Sequence, residues 1–134
     1  MRRSPSLAVD IIILIGNKLV LIKRENEPFK DCFAIPGGFV EYGETVETAA
    51  IREAKEETGL DVKNLSFFRV YSDPDRDPRG HTISIVFNGE GKGIPKAGDD
   101  ARELYLFDLD KIPDNLAFDH NKIIQDFFEK YKVG

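Results

Sequence analysis

Apolar residues in this chain fall into short dense runs separated by polar breaks. Two runs, 7–15 and 18–23, are rich in β-branched and aliphatic residues, and Gly16-Asn17 lies between them. This pattern is typical of two strands joined as a hairpin. The same pattern predicts further strands at 62–71, 82–87 and 103–109, with a glycine-broken apolar segment at 34–40 and polar or glycine-rich loops at 72–80 and 88–100.

Two other stretches show the three-to-four-residue apolar spacing of an amphipathic helix. The first, 45–58, opens at an N-capping threonine and is followed by Gly59, a typical helix stop. The second covers 116–131, with Asp119 or Asn121 as its candidate N-cap. Because strands and helices are mixed without strict βαβ alternation, we expect a mixed sheet covered by helices and not a doubly wound nucleotide fold.

Length and composition exclude several classes of protein. A chain of 134 residues with 41% hydrophobic and 32% charged residues suits one globular domain, residues 1–134. Its longest apolar run, 11–15, is far shorter than the about 20 residues of a membrane helix. A net charge of −5 disfavours nucleic acid as a partner. With one cysteine, Cys32, and no signal-peptide pattern, we expect a cytoplasmic protein.

The candidate chemistry is concentrated in residues 38–60, GFVEYGETVETAAIREAKEETGL. On a helix, Glu53, Glu56 and Glu57 are three or four residues apart and share one face. Like charges so close together destabilise an isolated helix, so their convergence indicates a divalent cation. Oxygen ligands select hard ions such as Mg²⁺ or Mn²⁺. The alternative is a solvated acidic face with internal salt bridges.

Residues around this helix can support such a site. Arg52 lies one turn from Glu56 but could instead pair with Glu44, which would fix the glycine loop to the helix. Gly37 and Gly38 permit backbone conformations that other residues resist. A backbone carbonyl at this point could therefore approach a metal ion.

One spacing pattern joins these residues: Gly38, Glu44, Arg52, Glu53, Ala54, Glu56, Glu57, Gly59 and Leu60. Position for position, it resembles the signature of the Nudix hydrolases, the MutT-like family. The resemblance implies an α/β (α+β) fold, a Nudix-type α/β/α sandwich with a mixed β-sheet and a loop-helix-loop metal site. The implied reaction is hydrolysis of a nucleoside diphosphate linked to another group X.

The resemblance also implies roles for single residues. The implied ligands of two or three Mg²⁺ or Mn²⁺ ions are Glu53, Glu56, Glu57 and the carbonyl of Gly37. The implied structural residues are Gly38, Glu44, Arg52 and Gly59. Glu56, with Glu53 beside it, is the candidate to orient or deprotonate the attacking water. In this family the base often comes from a later loop, where the candidates are Asp99, Asp100 and the preferred Glu103; the alternative is a solvated acidic turn.

Residues 71–81, YSDPDRDPRGH, form the second informative segment. Arg76 and Arg79 could reach phosphates as planar bidentate donors; the alternative is a stiff hairpin with internal Asp–Arg pairs. Pro74, 15 residues beyond Gly59, is similar to a proline of the small ADP-ribose pyrophosphatases. That resemblance implies cleavage of ADP-ribose to AMP and ribose 5-phosphate.

An adenine base could stack on an aromatic side chain, which is worth about 1–3 kcal/mol. The candidates near predicted loops are Phe29, Phe33, Phe118 and Tyr71, of which Tyr71 joins Arg76 and Arg79 in the predicted substrate site. The alternative for each aromatic residue is a place in the core. A polar group near the start of the second predicted helix, where His120 lies, could read a base edge.

Alternatives to ADP-ribose remain open at this point. The rival substrates are a nucleoside triphosphate such as 8-oxo-dGTP and the diadenosine polyphosphates. A non-catalytic ADP-ribose-sensing domain is a further alternative, but such relatives carry a DNA-binding domain and usually a degraded acidic helix. Here the carboxylates are intact, and we expect no further domain before Gly134. The resemblance is also compatible with a homodimer.

Overall fold

The protein was analysed as a computed structural model, which describes residues 3–93 and 104–131. Within those residues the chain forms seven strands and two helices. In chain order they are β1 (Ser6–Ile15), β2 (Lys18–Lys23), β3 (Phe33–Ala34), β4 (Gly37–Phe39), α1 (Val46–Thr58), β5 (Asp61–Tyr71), β6 (Thr82–Lys92), β7 (Leu104–Asp108) and α2 (His120–Tyr131). Neither described helix is long and apolar enough to cross a membrane.

The described strands form one mixed sheet around β1. The main order is β3-β2-β1-β6-β5, while β4 pairs with β1 and β7 pairs with β2. β1 is antiparallel to β2 and β4 but parallel to β6, from Ser6 opposite Thr82 to Leu14 opposite Glu90. The mixed sheet that the element order predicts is therefore confirmed.

The two helices cover opposite faces of the sheet. Ile11 and Ile13 of β1 pack in one core with Ala50 of α1. Ile12, which points the other way, packs in a second core with Ile123 of α2. A strand covered on both faces has no solvent side, which explains the unbroken apolar run in β1.

Local signals set both ends of α1. The Thr45 side chain accepts a hydrogen bond from the Thr48 backbone N–H, which satisfies one free donor of the first turn. Gly59 adopts φ 75°, a left-handed conformation that favours glycine, and its N–H bonds to the Lys55 carbonyl. The predicted bounds of this helix are confirmed.

The predicted end of β6 is wrong, because the strand continues through 88–92, where the glycines predicted a loop. β6 has a strand partner on each side, since Glu90 pairs with Leu14 and Lys92 pairs with Asp61. Glycine is also needed within it: a Cβ on Gly91 would lie 2.9 Å from a methyl carbon of Ile13.

The second helix starts at His120 and not at 116, so its predicted start is also wrong. The preceding residues make other contacts, including the Ala117 N–H bond to the Phe33 carbonyl, and Phe118 has φ 52°. Neither predicted cap acts through its side chain. The Asp119 carboxylate binds Arg76, and Asn121 lies inside the helix.

Candidate active site

A cavity of about 410 Å³ lies where β4, α1 and the loop before β6 meet the start of α2. It brings together the two segments that the sequence singles out. Its lining includes Gly37, Gly38, Glu53, Glu56, Glu57, Arg76 and Arg79. The candidate metal residues and the candidate phosphate-binding arginines thus face the same space.

Arg52 holds the glycine loop against α1. Its Nε and Nη2 donate to the two carboxylate oxygens of Glu44 at 2.7 and 3.0 Å, and Nη2 also reaches the Phe39 carbonyl at 3.1 Å. These bonds from Arg52 hold the pKa of Glu44 at about 2, and the same contact raises the pKa of Arg52. Both groups therefore stay charged throughout the neutral range.

The glutamates that the resemblance assigns to metal lie beside this clamp. Arg52 Nη1 donates to Glu53 at 2.7 Å and to Glu56 at 3.2 Å, while Glu57 accepts the Gly37 N–H at 2.9 Å. Among residues 3–93 and 104–131, no three His, Cys, Asp or Glu side chains are grouped as metal ligands. Glu53 and Glu56 thus share Arg52 Nη1, whereas Glu57 is directed to the Gly37 N–H.

The donor set still fits a hard divalent cation, because every candidate ligand atom is an oxygen. A Cβ on Gly38 would lie 2.5 Å from the Glu53 carboxylate, so the backbone passes this carboxylate closely. Burial raises the pKa of Glu53, which means that its charged form lacks the stabilisation that water would give. A cation beside Glu53 would supply it.

The two arginines of the loop before β6 have different environments. Arg76 is 6% exposed and donates to both carboxylate oxygens of Asp119, at 2.6 and 2.8 Å. Arg79 is 47% exposed and donates to both oxygens of Asp77, at 3.1 and 2.8 Å. Burial alone would raise the pKa of Asp77, but the Arg79 hydrogen bonds outweigh it and lower the pKa. Of these two arginines, Arg79 is therefore the one that a ligand can reach more easily.

The candidate aromatic residues also differ in where they lie relative to the cavity. The Phe118 ring lines the cavity, with the guanidinium of Arg24 at 4.9 Å and that of Arg79 at 5.4 Å from its centroid. Phe29 packs edge-on against Phe118 at 4.9 Å, and Phe33 packs among the rings of β7.

The structure does not bring Tyr71 to this cavity. Its ring is 8% exposed within the core beside α2, and its hydroxyl donates to Asp126 at 2.8 Å. Burial, together with this bond, raises the pKa of Tyr71. The side chain is therefore held on the α2 face of the sheet by packing and by a partly buried hydrogen bond.

Comparison with known proteins gives the family. Residues 4–127 match the NUDIX domain, which is most of the 134-residue chain. The chain belongs to the NUDIX family. Nudix hydrolases generally use divalent metal ions, in keeping with the oxygen donors of the cavity.

Three relatives illustrate the Nudix match. An ADP-ribose pyrophosphatase from Methanocaldococcus jannaschii is 63% identical over 131 residues, covering 97% of this chain and 76% of that protein. The crystal structure of a MutT/nudix family protein from Enterococcus faecalis has a TM-score of 0.86 at 33% identity, covering 98% of this chain and 64% of that one. A bifunctional NMN adenylyltransferase/ADP ribose pyrophosphatase from Francisella tularensis, complexed with AMP and a Mn ion, has a TM-score of 0.79 at 28% identity. The match covers 96% of this chain and 42% of that one. The predicted Nudix-type α/β/α sandwich is confirmed.

The Nudix cavity also contains two residues that the sequence analysis did not select, Asp10 and Asp77. His120, at the helix start where a polar contact to a base edge was considered, lines it as well. One feature of the sequence could have indicated Asp10: it is a lone carboxylate inside an apolar strand, and burying a charge is costly unless the charge is paired. Asp77 had no comparable signal, because it lies in a loop with other aspartates.

The candidates for a base from a later loop, Asp99, Asp100 and Glu103, lie outside the described residues. The described part of the site therefore includes β1 at Asp10, the glycine loop, α1, the loop before β6 and the start of α2.

Proposed function

We propose that the protein is a Mg²⁺-dependent pyrophosphohydrolase that cleaves ADP-ribose to AMP and ribose 5-phosphate. The observation that carries the proposal is that one cavity joins the signature glutamates to Arg79 and Phe118. The 63% identical relative, itself named an ADP-ribose pyrophosphatase, supports the choice of substrate. A nucleoside diphosphate linked to a sugar would offer this cavity a diphosphate and an aromatic base.

The metal would be held by the residues that the resemblance assigns. These are the Gly37 carbonyl and the carboxylates of Glu53, Glu56 and Glu57. When bound, two or three divalent ions neutralise the charge of the diphosphate and activate a water molecule. Mn²⁺ is the alternative ion, since it accepts the same oxygen ligands.

The side chains of the cavity have separate tasks in this proposal. Glu56 is 46% exposed and takes the proton of the attacking water, while the less exposed Glu53 stays a ligand. Arg79 exchanges part of its contact with Asp77 for a phosphate oxygen. Arg76, fixed by Asp119, adds positive charge to the cavity wall. Glu103 stays the predicted extra carboxylate.

A hydrolysis panel tests the proposal. Purified protein with Mg²⁺ is given ADP-ribose, 8-oxo-dGTP, common nucleoside triphosphates and diadenosine polyphosphates, with and without a chelator. We expect ADP-ribose to yield AMP and ribose 5-phosphate with kcat/KM of at least about 10⁴ M⁻¹s⁻¹, well above the others.

The other outcomes of the panel are equally informative. A triphosphate as the best substrate would keep the family but contradict ADP-ribose. Binding of ADP-ribose without cleavage would favour a sensor domain. Activity that survives the chelator would contradict the metal assignment.

Two further predictions accompany this function. A homodimer is expected to appear as a doubled mass in sedimentation equilibrium, and a monomer at micromolar concentration would contradict it. A cytoplasmic location, expected from the single cysteine, would be checked by cell fractionation.

A further inference from the structure

A fixed hydrogen-bond donor lies in the wall of the cavity at the start of α2. His120 is 4% exposed, and its Nδ1 accepts a hydrogen bond from the Ile35 backbone N–H at 3.0 Å. A ring nitrogen that accepts a hydrogen bond carries no proton, so the proton of the neutral ring is on Nε2. Burial also lowers the pKa of His120, which favours this neutral form. Nε2 is therefore a donor.

A fixed acceptor faces this donor. Asp10 is 9% exposed, and its carboxylate accepts a hydrogen bond from the Ser84 hydroxyl through Oδ2. Its other oxygen, Oδ1, lies beside the Gly37 backbone, where a Cβ on Gly37 would collide with it. Ser84 is fully buried on the parallel neighbour strand β6, so this bond sets the orientation of the carboxylate.

The two atoms are too far apart to bond to each other. His120 Nε2 and Asp10 Oδ1 are 3.9 Å apart, beyond hydrogen-bond distance, and both residues line the cavity. One oxygen atom about 2.8 Å from each would fit between them. It would have to accept a proton from Nε2 and donate one to the carboxylate.

The chemistry of the pair selects the group that it binds. A phosphate oxygen would be repelled by the Asp10 carboxylate, and an ammonium group has no lone pair for the His120 N–H. A hydroxyl group both accepts and donates. The pair also lies beside Gly37, next to the place where the diphosphate is expected, and sugars flank the diphosphate in nucleoside diphosphate sugars.

We propose, building on the function proposed above, that Asp10 and His120 form a hydroxyl-binding pair that recognises a sugar hydroxyl of the substrate. The pair selects ligands that carry this hydroxyl over ligands that lack it. Both residues lie on regular elements, β1 and α2, so the spacing of the pair is set by the fold and not by a loop.

Two amide substitutions test the pair while keeping the supporting contacts. In His120→Asn, the amide oxygen can replace Nδ1 as acceptor for the Ile35 N–H, but the donor at Nε2 is lost. In Asp10→Asn, the amide oxygen can keep the Ser84 bond, while the group facing the cavity becomes a donor. Asp108→Asn, at the half-exposed end of β7 where Asp108 pairs with Lys18, is the matched control away from the cavity.

Calorimetry would measure the binding of four ligands to wild type and variants: ADP-ribose, ADP, ribose 5-phosphate and inorganic pyrophosphate. We expect each pair variant to weaken ADP-ribose binding by about tenfold to a hundredfold without weakening the binding of pyrophosphate. If ADP binding weakens to the same extent, the hydroxyl belongs to the adenosine ribose. If ribose 5-phosphate binding weakens to the same extent, the hydroxyl belongs to the terminal ribose. Thermal unfolding would show that the variants are folded.

Equal losses for all four ligands, or no loss for any, would overturn the inference. If one variant fails to fold, the other carries the test alone. The calorimetry is done with a chelator present, so that ADP-ribose is bound but not hydrolysed. Failure of the hydrolysis panel and failure of the hydroxyl pair are therefore separate results.

Discussion

Glu56 differs from its two neighbouring glutamates in exposure. Its side chain is 46% exposed, against 13% for Glu53, and its contact to Arg52 is the longer of the two at 3.2 Å. Substitution of Glu56 should therefore disturb the fold little and the chemistry strongly.

We expect Glu56→Gln to lower kcat for ADP-ribose by about 10²-fold or more, because the amide cannot take a proton from water. The melting temperature should stay close to that of wild type. Glu47→Gln, on the exposed first turn of α1, is the matched control and should keep full activity. Full activity of Glu56→Gln would remove this residue from the mechanism.

Arg79 and Arg76 should respond differently to truncation. We expect Arg79→Ala to raise KM for ADP-ribose about tenfold with a small change in stability, because the side chain is half exposed. Arg76→Ala should lower the free energy of unfolding by about 3 kcal/mol, because it leaves Asp119 without its partner beside the cavity. Steady-state kinetics and urea unfolding would measure the two effects. The same response from both variants would contradict this division.

At the scale of elements, α1 depends on its N-cap to present the glutamates. We expect Thr45→Ala to lower the free energy of unfolding by about 1 kcal/mol, because the Thr48 N–H loses its acceptor. Thr45→Ser keeps a hydroxyl and should restore most of the loss. Urea unfolding monitored by circular dichroism would compare the three proteins, and equal stability of all three would show that the cap contributes nothing.

The elements that sequence could predict are those whose signals are local. The bounds of α1 follow from Thr45 and Gly59, and β1 follows from its unbroken apolar run. The end of β6 depends on pairing with β1 and β5, and the start of α2 depends on the contact between Asp119 and Arg76. Both boundaries depend on tertiary contacts, which glycine content and helical periodicity do not reveal.

At the scale of the whole molecule, the candidate site also divides into residues with a local sequence signal and residues brought together by tertiary packing. The glutamates of α1 are visible in sequence because one helix turn sets their spacing. The relation between Asp10 and His120 depends on the packing of β1 against α2, and no spacing rule reaches that far. Tyr71 shows the reverse case, since its place beside a loop suggested a substrate contact while packing holds it in the core.

The whole molecule should lose stability in mild acid through His120. Burial lowers the pKa of this group; Asp10 and Asp119 act to raise it, and Arg76 and Arg24 act to lower it. In the unfolded chain, this histidine has the ordinary pKa of about 6.5. Below that pH the unfolded chain therefore binds a proton at His120 that the folded protein does not. His120 should therefore lower the free energy of unfolding by at most about 1.4 kcal/mol for each pH unit below 6.5. Above pH 6.5 this group should cause no such loss.

Urea unfolding from about pH 7.5 to about pH 5.5 would measure this loss, in a range where histidine is the main titrating side chain. His120→Asn should show a smaller slope than wild type over the same range. Equal slopes would mean that another group controls the acid response.

The parallel pairing of β1 with β6 also has a consequence during protein synthesis. Ser6 pairs with Thr82, 76 positions later (82 − 6), and every pair in the ladder has this separation. The growing chain therefore cannot complete the centre of its sheet until about residue 90 has left the ribosome. Until then the most apolar strand has no parallel partner, which makes the nascent chain a candidate for chaperone binding. Because His120 forms part of the cavity wall, substrate recognition can begin only after α2 has been made and has packed.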